Sequence, residues 1–418
     1  MENDKAISYA ILVGIAEKGS ELEECEKSLE ELERLLDTAG GTCFAKVIQV
    51  KESFDPRTCI GSGKVAEISD LCKNNPIDII VFDFELSPAQ IRNLEEDIGN
   101  DVRVIDRSML ILDIFALHAI SGEGKLQVEL AQLKYSAPRL MGKGKDMSRL
   151  GGGIGTRGPG ESKLESDRRH LKEKVVMLEK RIKDLEHNRS VMRAQRDRSG
   201  LTKIAIVGYT NAGKSTLLNN LTGADVLSED KLFATLDATT RKMELPSGET
   251  VLLTDTVGFI RKLPHHLIKA FKSTLDEVVY ADILIIVSDA TDNEVSEHIK
   301  VTESVISDLG SGDKPIIYAY NKCDKLDTVP VPDNDNTVFV SGVTGFGLDR
   351  LLDIIVDTIQ KFKRRYELLI PYCDQSKLSL LYDTYSVCEV DYLDNGIKVD
   401  VILDEKGRGL YDRYLQSE

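Results

Sequence analysis

The sequence has no long apolar run. Its longest apolar stretches, such as residues 283–287, have the length of a buried strand, whereas a membrane helix needs roughly 18 apolar residues. The amino terminus is acidic with only a short apolar stretch, which is typical of a strand followed by a helix and not of a signal peptide. We therefore expect a cytoplasmic protein without a membrane helix.

The sequence also lacks paired cysteines. Its seven cysteines are scattered and odd in number, no C-x-x-C pair occurs, and the six histidines do not cluster with them. This pattern predicts reduced thiols that are structural or incidental, and it does not predict a zinc site.

Positive charge is scarce over the chain as a whole. The net charge of −16 alone argues against a nucleic-acid partner. The segment from Lys134 to Ser199 is the exception, because it carries 18 Lys and Arg against nine Asp and Glu, which leaves −25 on the rest of the chain. A basic segment in an acidic protein predicts a nucleic-acid contact confined to that segment.

The order of strand-like and helix-like stretches predicts four parts. Residues 1–120 alternate between the two, which predicts an N-terminal α/β domain with a parallel sheet. Residues 121–200 hold a glycine-rich loop and apolar residues at heptad spacing, which predicts a coiled-coil or helical-hairpin arm. Residues 201–365 alternate again, and residues 366–418 predict a small α+β domain with one helix and two strands.

A phosphate-binding loop opens the second alternating region. Residues 208–215 read G-x-x-x-x-G-K-S, between the apolar strand 204–207 and a helix that begins at residue 216. Glycine lets successive backbone N–H groups face phosphates, Lys214 adds a positive charge, and Ser215 offers a hydroxyl to Mg²⁺. The candidate phosphate-binding residues are Gly208, Tyr209, Thr210, Asn211, Ala212, Gly213, Lys214, Ser215 and Thr216.

A D-x-x-G motif follows the predicted strand 251–254. Asp255 is placed where a carboxylate holds the Mg²⁺ shell, and Gly258 can offer its N–H to a γ-phosphate. The candidate residues of this motif are Asp255, Thr256, Val257 and Gly258.

The loop 233–241 lies where a switch threonine senses the γ-phosphate through Mg²⁺. Three threonines compete for this role, and we favour Thr235 over Thr239 and Thr240; the alternative is a plain polar loop. The candidate residues of this loop are Phe233, Ala234, Thr235, Leu236 and Asp237. The candidate metal ligands are Ser215, Thr235 and Asp255.

An N-K-x-D motif at residues 321–324 predicts selection of guanine. The carboxylate of Asp324 can accept hydrogen bonds from N1–H and the 2-amino group of guanine, and adenine has neither donor. The aliphatic part of Lys322 can cover one face of the base. The candidate guanine-binding residues are Asn321, Lys322, Asp324, Ser341, Gly342 and Val343.

These motifs, in this order, resemble those of translation-factor-type GTPases. Four further stretches, at 60–65, 84–90, 124–133 and above all the sequence SRLGGGIGTRGPGE at 148–161, are similar to the HflX family of ribosome-associated GTPases. The resemblance covers at least residues 55–350. Family members often have Ser-Ala at residues 341–342 and proline at the position of Ala238, and neither departure threatens nucleotide binding.

The resemblance has implications for fold and function. It implies an α/β fold, with a three-layer α/β/α P-loop GTPase domain, an N-terminal α/β domain, a helical coiled-coil arm and a small α+β C-terminal domain. It also implies a Mg²⁺-dependent GTPase that binds GTP and GDP, associates with the large (50S) ribosomal subunit and its rRNA, and dissociates or rescues stalled ribosomes. We expect a monomer without a membrane partner.

The position after D-x-x-G holds Phe259, where many GTPases carry a water-orienting glutamine. A phenyl ring cannot hydrogen-bond a water, so either hydrolysis is intrinsically slow or another group places the water; packing of the ring under switch II is compatible with both. Asn211 is a candidate for binding K⁺ in that role. Its alternative role is to stabilise the loop through side-chain-to-backbone hydrogen bonds.

Two alternatives to a ribosomal GTPase remain at this point. A P-loop ATPase or small-molecule kinase is disfavoured by the N-K-x-D motif. A GTPase acting outside translation, linked to a membrane or the cytoskeleton, lacks support because no lipidation motif is visible. The turn Gly61-Ser-Gly-Lys64 suggests either a second nucleotide site or, as we favour, a structural turn.

The glycine-rich loop is the predicted contact with RNA. Small residues let basic side chains approach phosphates closely, and no Phe, Tyr or Trp lies between Ala137 and Arg198 to stack on bases. A flexible hinge with a solvated arm is the alternative. The candidate RNA-contacting residues are Arg139, Lys143, Lys145, Arg149, Arg157 and Lys163.

Overall fold

The computed structural model describes residues 8–16, 21–51, 53–99, 101–140, 159–197, 201–223, 232–233, 238–262, 264, 272–362, 364–403 and 405–415. The chain divides into two compact units. The first contains Met1–Leu185, Glu229–Asp237 and Ile260–Ser273, and the second contains Glu186–Ser228, Ala238–Phe259 and Thr274–Glu418. The predicted boundaries at 120, 200 and 365 stay a prediction.

The first unit is built on a parallel sheet. Its elements are β1 (Ser8–Ala16), α1 (Glu21–Thr38), β2 (Gly41–Val50), α2 (Ser62–Asn74), β3 (Ile79–Phe82), α3 (Pro88–Ile98), β4 (Arg103–Asp106) and α4 (Arg107–His118). The strand order is β2-β1-β3-β4, so successive strands are added first on one side of β1 and then on the other. Leu29, Leu32, Leu35 and Leu36 recur on one face of α1 and are fully or almost fully buried, because α1 packs on β1 and β2.

Two longer helices complete the described part of this region, namely α5 (Gly122–Leu140) and α6 (Pro159–Asp197). Leu178 of α6 is 1% exposed, and the neighbouring heptad positions 171, 175, 182 and 185 are half-buried. Ion pairs join the two helices, from Lys174 to Glu129 at 2.6 Å and from Lys134 to Glu179 at 2.8 Å. The described part of the predicted apolar stripe therefore faces protein, and the other side chains of residues 168–187 are exposed.

The second unit contains a six-stranded sheet. Its elements are β5 (Thr202–Gly208), α7 (Lys214–Thr222), β6 (Thr239–Glu244), β7 (Thr250–Asp255), α8 (Lys272–Tyr280), β8 (Ile283–Asp289), α9 (Val295–Asp308), β9 (Ile316–Asn321), β10 (Thr337–Phe339) and α10 (Leu348–Phe362). The strand order is β10-β9-β8-β5-β7-β6, and only the β6–β7 pair is antiparallel. A core of apolar side chains from β5, β7, β8 and β9 packs with Leu217, Leu351 and Ile355 from the helices.

The carboxyl-terminal region forms a three-stranded antiparallel sheet. Its elements are β11 (Arg364–Ile370), α11 (Ser376–Thr384), β12 (Ser386–Leu393), β13 (Gly396–Leu403) and α12 (Glu405–Tyr411), and the strand order is β11-β13-β12. The sequence predicted β12, β13 and α11 but not β11 or α12. Strand β11 pairs with β13 and contributes Leu368 and Ile370 to a separate apolar core. The α/β class is thus confirmed, with an α+β carboxyl-terminal region that has one more strand than predicted.

None of the helices that the structure describes is long and apolar enough to cross a membrane.

Candidate nucleotide-binding site

The candidate site lies at the carboxyl edge of the six-stranded sheet. Strand β5 lies between β7 and β8, and these strands run parallel, as do β9 and β10. The loops that follow β5, β7, β9 and β10 therefore share one edge, and they carry the P-loop, D-x-x-G, N-K-x-D and S-G-V motifs in that order.

The P-loop has the backbone that its glycines predict. Gly208 has a φ of 148° and Gly213 a φ of 88°, and both lie in the region that favours glycine. A Cβ atom at Gly208 would collide with the carbonyl of Val287, and one at Gly213 with the side chain of Asn321. Asn211 is also left-handed, with a φ of 61°, a conformation that asparagine tolerates better than most residues.

Lys214 begins α7 and is buried. Its Nζ donates to the carbonyl oxygens of Gly208 at 3.3 Å and Tyr209 at 2.8 Å. Within the protein itself, burial lowers the pKa of Lys214 to about 8, although nearby Asp255 acts in the opposite direction. Phosphate oxygens at this position would restore a strongly charged lysine.

Ser215 and Asp255 form the candidate metal site. The Ser215 hydroxyl donates to Oδ2 of Asp255 at 2.6 Å, and Asp255 is fully buried at the end of β7. A hydroxyl beside a buried carboxylate at the start of a helix is a suitable set of oxygen donors for Mg²⁺ when phosphate oxygens complete the shell. The neighbouring Thr256 is buried and donates its hydroxyl to the carbonyl of Ile206 at 2.7 Å, and Val257 is buried as well.

The residues after D-x-x-G lie against the P-loop. The Phe259 N–H donates to the carbonyl of Gly208 at 3.0 Å, and the Thr210 N–H donates to the carbonyl of Phe259 at 2.8 Å. Gly258 lies so close to Thr210 that a Cβ at Gly258 would be 2.7 Å from the Thr210 Cα. The Phe259 ring is fully buried, so its side chain packs in the core at the position where a glutamine would contact water.

The predicted guanine-binding residues are joined by hydrogen bonds. Asn321 is buried and bridges two loops, because its Nδ2 donates to the Ala212 carbonyl at 2.9 Å and its Oδ1 accepts from the Gly342 N–H at 2.8 Å. The Ser341 hydroxyl donates to Oδ1 of exposed Asp324 at 2.6 Å. The bond from Ser341 orients the Asp324 carboxylate, whose oxygens can still accept hydrogen bonds from the N1–H and 2-amino groups of guanine.

Asp289, at the end of β8, is a residue that the sequence analysis missed. Its carboxylate forms an ion pair with the Lys322 ammonium at 2.8 Å. Burial alone would raise its pKa, but hydrogen bonds from Lys322 and Thr291 outweigh burial and hold the pKa of Asp289 below its usual range. The pair holds the end of Lys322 in place, so the aliphatic part can cover a base without losing side-chain freedom on binding.

A ring contact that the sequence did not predict supports the P-loop. The ring of Tyr209 stacks on His298 of α9, with centroids 3.7 Å apart and planes inclined by 13°. No local pattern links positions 209 and 298, so only the tertiary structure could reveal it.

The remaining predicted residues divide into described and undescribed ones. Thr216 lies on α7, Val343 is 75% exposed, and Phe233 is buried. The less favoured switch threonines, Thr239 and Thr240, lie in β6, where the Thr240 hydroxyl is 2.9 Å from that of Thr254. The following residues or their side chains lie outside the described part: Ala234, Thr235, Leu236, Asp237, Arg139, Lys143, Lys145, Arg149, Arg157 and Lys163.

Models of known families match three stretches of the chain. Their descriptions are a GTP-binding GTPase N-terminal region over residues 26–116, a GTP-binding GTPase middle region over residues 118–196, and a 50S ribosome-binding GTPase over residues 203–322. The last stretch contains the P-loop and the D-x-x-G motif and reaches the start of N-K-x-D.

Curated relatives match nearly the whole chain. The GTPase HflX of Caldanaerobacter subterraneus subsp. tengcongensis is 49% identical over 390 residues, which cover 93% of this chain and 90% of that protein. The GTPase HflX of Escherichia coli K12 is 42% identical over 352 residues, which cover 82% of each. The crystal structure of a GTP-binding protein from Sulfolobus solfataricus in complex with GDP is 25% identical, with a TM-score of 0.44 over 85% of this chain and 99% of that one.

Proposed function

The chain belongs to the HflX family of GTPases, and on this premise we propose that it hydrolyses GTP to GDP and phosphate in association with the large (50S) ribosomal subunit. The observation that carries the nucleotide part is the convergence of four motif loops at one edge of a P-loop sheet. The match of residues 203–322 to a 50S ribosome-binding GTPase supports the ribosomal part. We place the protein in the cytoplasm as a monomer.

In this proposal, each loop has one task. The P-loop amides and Lys214 bind the β- and γ-phosphates, and the Gly258 N–H contacts the γ-phosphate. Asp324, oriented by Ser341, selects guanine, while Lys322, held by Asp289, covers the base. ATP is rejected because adenine offers no donors to Asp324 and would leave its carboxylate unpaired.

Mg²⁺ is the proposed cofactor, held by Ser215, Asp255 and, from the switch loop, Thr235. When bound, it would supply positive charge that neutralises the phosphates of the nucleotide. The protein's contribution is to keep the Ser215 hydroxyl and the buried Asp255 carboxylate together beside the phosphate-binding backbone.

K⁺ at Asn211 is the proposed substitute for a water-orienting glutamine. Phe259 is fully buried and cannot contact a water, so the charge that develops in the reaction needs another partner. Asn211 lies in the P-loop, where its amide oxygen can coordinate a monovalent cation. We expect faster GTP hydrolysis in KCl than in NaCl at equal ionic strength, with Asn211→Ala abolishing the difference. Equal rates in the two salts would contradict this role and leave stabilisation of the loop through side-chain-to-backbone hydrogen bonds as the role of Asn211.

The basic segment 134–199 is the proposed contact with ribosomal RNA, with the glycine-rich loop reaching deepest. The charge split orients the protein, because the acidic remainder is repelled by phosphate. We propose that binding there serves to dissociate or rescue stalled ribosomes.

A double charge reversal tests this contact. Arg149→Glu with Arg157→Glu should sharply reduce co-sedimentation with purified large subunits at physiological salt and leave GDP affinity unchanged. The matched control is Lys300→Glu with Lys361→Glu, which reverses two exposed lysines outside the segment. Ribosome binding that survives the first pair as well as the second would show that this loop is not the contact surface.

A further inference from the structure

A buried charged cluster lies at the carboxyl edge of the N-terminal sheet. In a parallel sheet with the order β2-β1-β3-β4, ligands bind at the carboxyl ends of β1 and β3, where the winding reverses. Asp83 directly follows β3 and is 3% exposed, and Arg107, the first residue of α4, is 2% exposed. Glu31 of α1 is also buried beside them.

The cluster contains two carboxylates and two cations. Arg107 donates from Nη1 to Oδ1 of Asp83 at 2.7 Å and pairs through Nη2 with Glu31. The second oxygen of Asp83 accepts from the Ser28 hydroxyl and from the ammonium of Lys262, each at 2.7 Å. Lys262 is half-exposed and supplies the fourth charge. Without it, the buried Asp83 carboxylate would have only the arginine that it shares with Glu31 as a charged partner, which is costly at such burial.

Lys262 comes from the segment that follows D-x-x-G. Residues Ile260–Ser273 belong to the first unit, although the preceding residues belong to the second. Arg107 also donates to the carbonyl of Arg261 at 3.2 Å. Lys262 has a φ of 52°, which is strained for a residue with a side chain and persists only where contacts hold it.

Phe233 in the predicted switch loop also combines a left-handed backbone with a contact to α4. Phe233 is 2% exposed, has a φ of 56°, and packs its ring edge-to-face on Phe115 of α4 with centroids 4.7 Å apart. Residues Glu229–Asp237 also belong to the first unit. Helix α4 therefore contacts both the segment after D-x-x-G and the predicted switch loop.

Few residues separate the D-x-x-G loop from the anchored Lys262. Phe259 is hydrogen-bonded to the P-loop on both its N–H and its carbonyl, and Arg261 is bonded to Arg107. Only Ile260, which is fully buried, lies between them. One residue spans at most about 3.6 Å, so the D-x-x-G loop is linked to the segment that carries Lys262 by a short stretch of chain.

We propose that Asp83 and Arg107 are positioning residues for GTP hydrolysis, which act by anchoring Lys262 and thereby holding the D-x-x-G loop in the arrangement that receives a γ-phosphate. The cluster fills the ligand-binding edge of the N-terminal sheet with this chain's own lysine, where other sheets of this type hold a separate molecule. Anchoring of Lys262 raises the affinity for GTP relative to GDP, because only GTP has the phosphate that Gly258 contacts. The inference rests on the GTPase activity and does not require the ribosome.

The test uses the full chain with Lys262→Gln, which leaves every buried residue in place. We expect kcat and the GTP-to-GDP affinity ratio each to fall about fivefold, as for loss of one partly exposed ion pair. GDP affinity itself should stay within twofold, and Lys262→Arg should restore most of the loss. The matched control is Lys300→Gln, which removes an exposed lysine ion-paired to Glu297 in the second unit.

A double-mutant cycle with Asp83→Asn identifies the partner. If the two residues act as one pair, the double variant should be no worse than the worse single variant. The proposal is overturned if Lys262→Gln leaves kcat and the affinity ratio unchanged or raises them, or if the two effects multiply. If Asp83→Asn does not fold, kcat and the GTP-to-GDP affinity ratio of Lys262→Gln and Lys262→Arg still test the proposal. GDP binding by every variant separates failure of this proposal from failure of the nucleotide site.

Discussion

Guanine selection depends on the orientation of the Asp324 carboxylate. Its Oδ1 accepts from Ser341 at 2.6 Å, and Ser341 is itself fully buried. We therefore expect Asp324→Asn to weaken GDP binding by at least about 100-fold, because one acceptor becomes a donor that opposes the 2-amino group. Xanthosine diphosphate, which has an oxygen at that position, should recover affinity.

The control for this change is Asp327→Asn, a carboxylate three residues further along the chain. Fluorescence titration with a labelled GDP measures both variants. GDP affinity equal to wild type in Asp324→Asn would show that the N-K-x-D motif does not read guanine here.

The pKa of Lys214 predicts how GDP binding depends on pH. Burial lowers this pKa to about 8 in the protein itself, and phosphates stabilise the charged form and raise it. Binding above pH 8 must therefore take up a proton, and GDP affinity should fall as pH rises from 7 to 9, by up to about tenfold per pH unit above the pKa.

Calorimetric titration in two buffers of different ionisation enthalpy measures this proton uptake. Lys214→Arg is the control, because arginine stays charged at each pH and should show no uptake. Unchanged affinity and no uptake between pH 7 and 9 in the wild-type chain would mean that Lys214 is charged before the phosphates arrive.

At the scale of single elements, α8 is held at its carboxyl end by one side chain. The Lys314 ammonium donates to the carbonyl oxygens of Val278 at 2.8 Å and Ala281 at 2.7 Å, and also to that of Val279. Carbonyls at the end of a helix lack partners within it, and a cation there also interacts favourably with the negative end of the helix dipole. Lys314→Met should reduce the free energy of unfolding by about 1–2 kcal/mol.

Thermal unfolding followed by circular dichroism tests this capping role. Lys300→Met, which removes an exposed ion pair within α9, should have almost no effect on the unfolding temperature. Equal unfolding temperatures for the two variants would show that Lys314 does not stabilise the helix end.

Elements with a strong local pattern could be predicted from the sequence, and others could not. The apolar patterns predict strands at residues 203–207 and 283–288 and an amphipathic helix at about 348–362, and β5, β8 and α10 lie within one or two residues of these bounds. Strand β11 was missed although Tyr366, Leu368 and Ile370 alternate inward, because it follows α10 after a single residue and no turn signal separates them. The sequence predicts strand β6 at residues 241–245, but β6 begins at Thr239 because pairing with β7 extends it into the polar loop.

The same distinction applies to the site. Motifs such as G-x-x-x-x-G-K-S are contiguous, so the pattern of neighbouring residues is enough to locate them. Asp289, His298 and Asp83 are isolated polar residues whose partners lie far along the chain, and their roles depend on which strand ends meet at a sheet edge. The local periodicity of a single sequence gives no signal for such pairs.

At the scale of the whole molecule, the charge is divided between a basic segment and an acidic remainder. Ribosome binding through the segment 134–199 should fall steeply with salt, because each phosphate contact releases a counterion. The slope of log affinity against log salt concentration should be smaller in magnitude by about two for the variant Arg149→Glu with Arg157→Glu. Sedimentation with large subunits over a series of KCl concentrations measures the slope, and a slope near zero for the wild-type chain would exclude an RNA contact through this segment.

The central claim is that this chain is a GTPase that works on the large ribosomal subunit. The most direct test is the rate of phosphate release from GTP by the full chain, with Mg²⁺ and K⁺, in the absence and presence of purified large subunits. We expect slow hydrolysis by the chain alone, because the buried Phe259 cannot orient the attacking water, and strong stimulation by large subunits. Lys214→Ala should lose both the basal and the stimulated rate, and ATP should not be hydrolysed. Hydrolysis of ATP at a comparable rate, or a GTP rate that large subunits leave unchanged, would contradict the account.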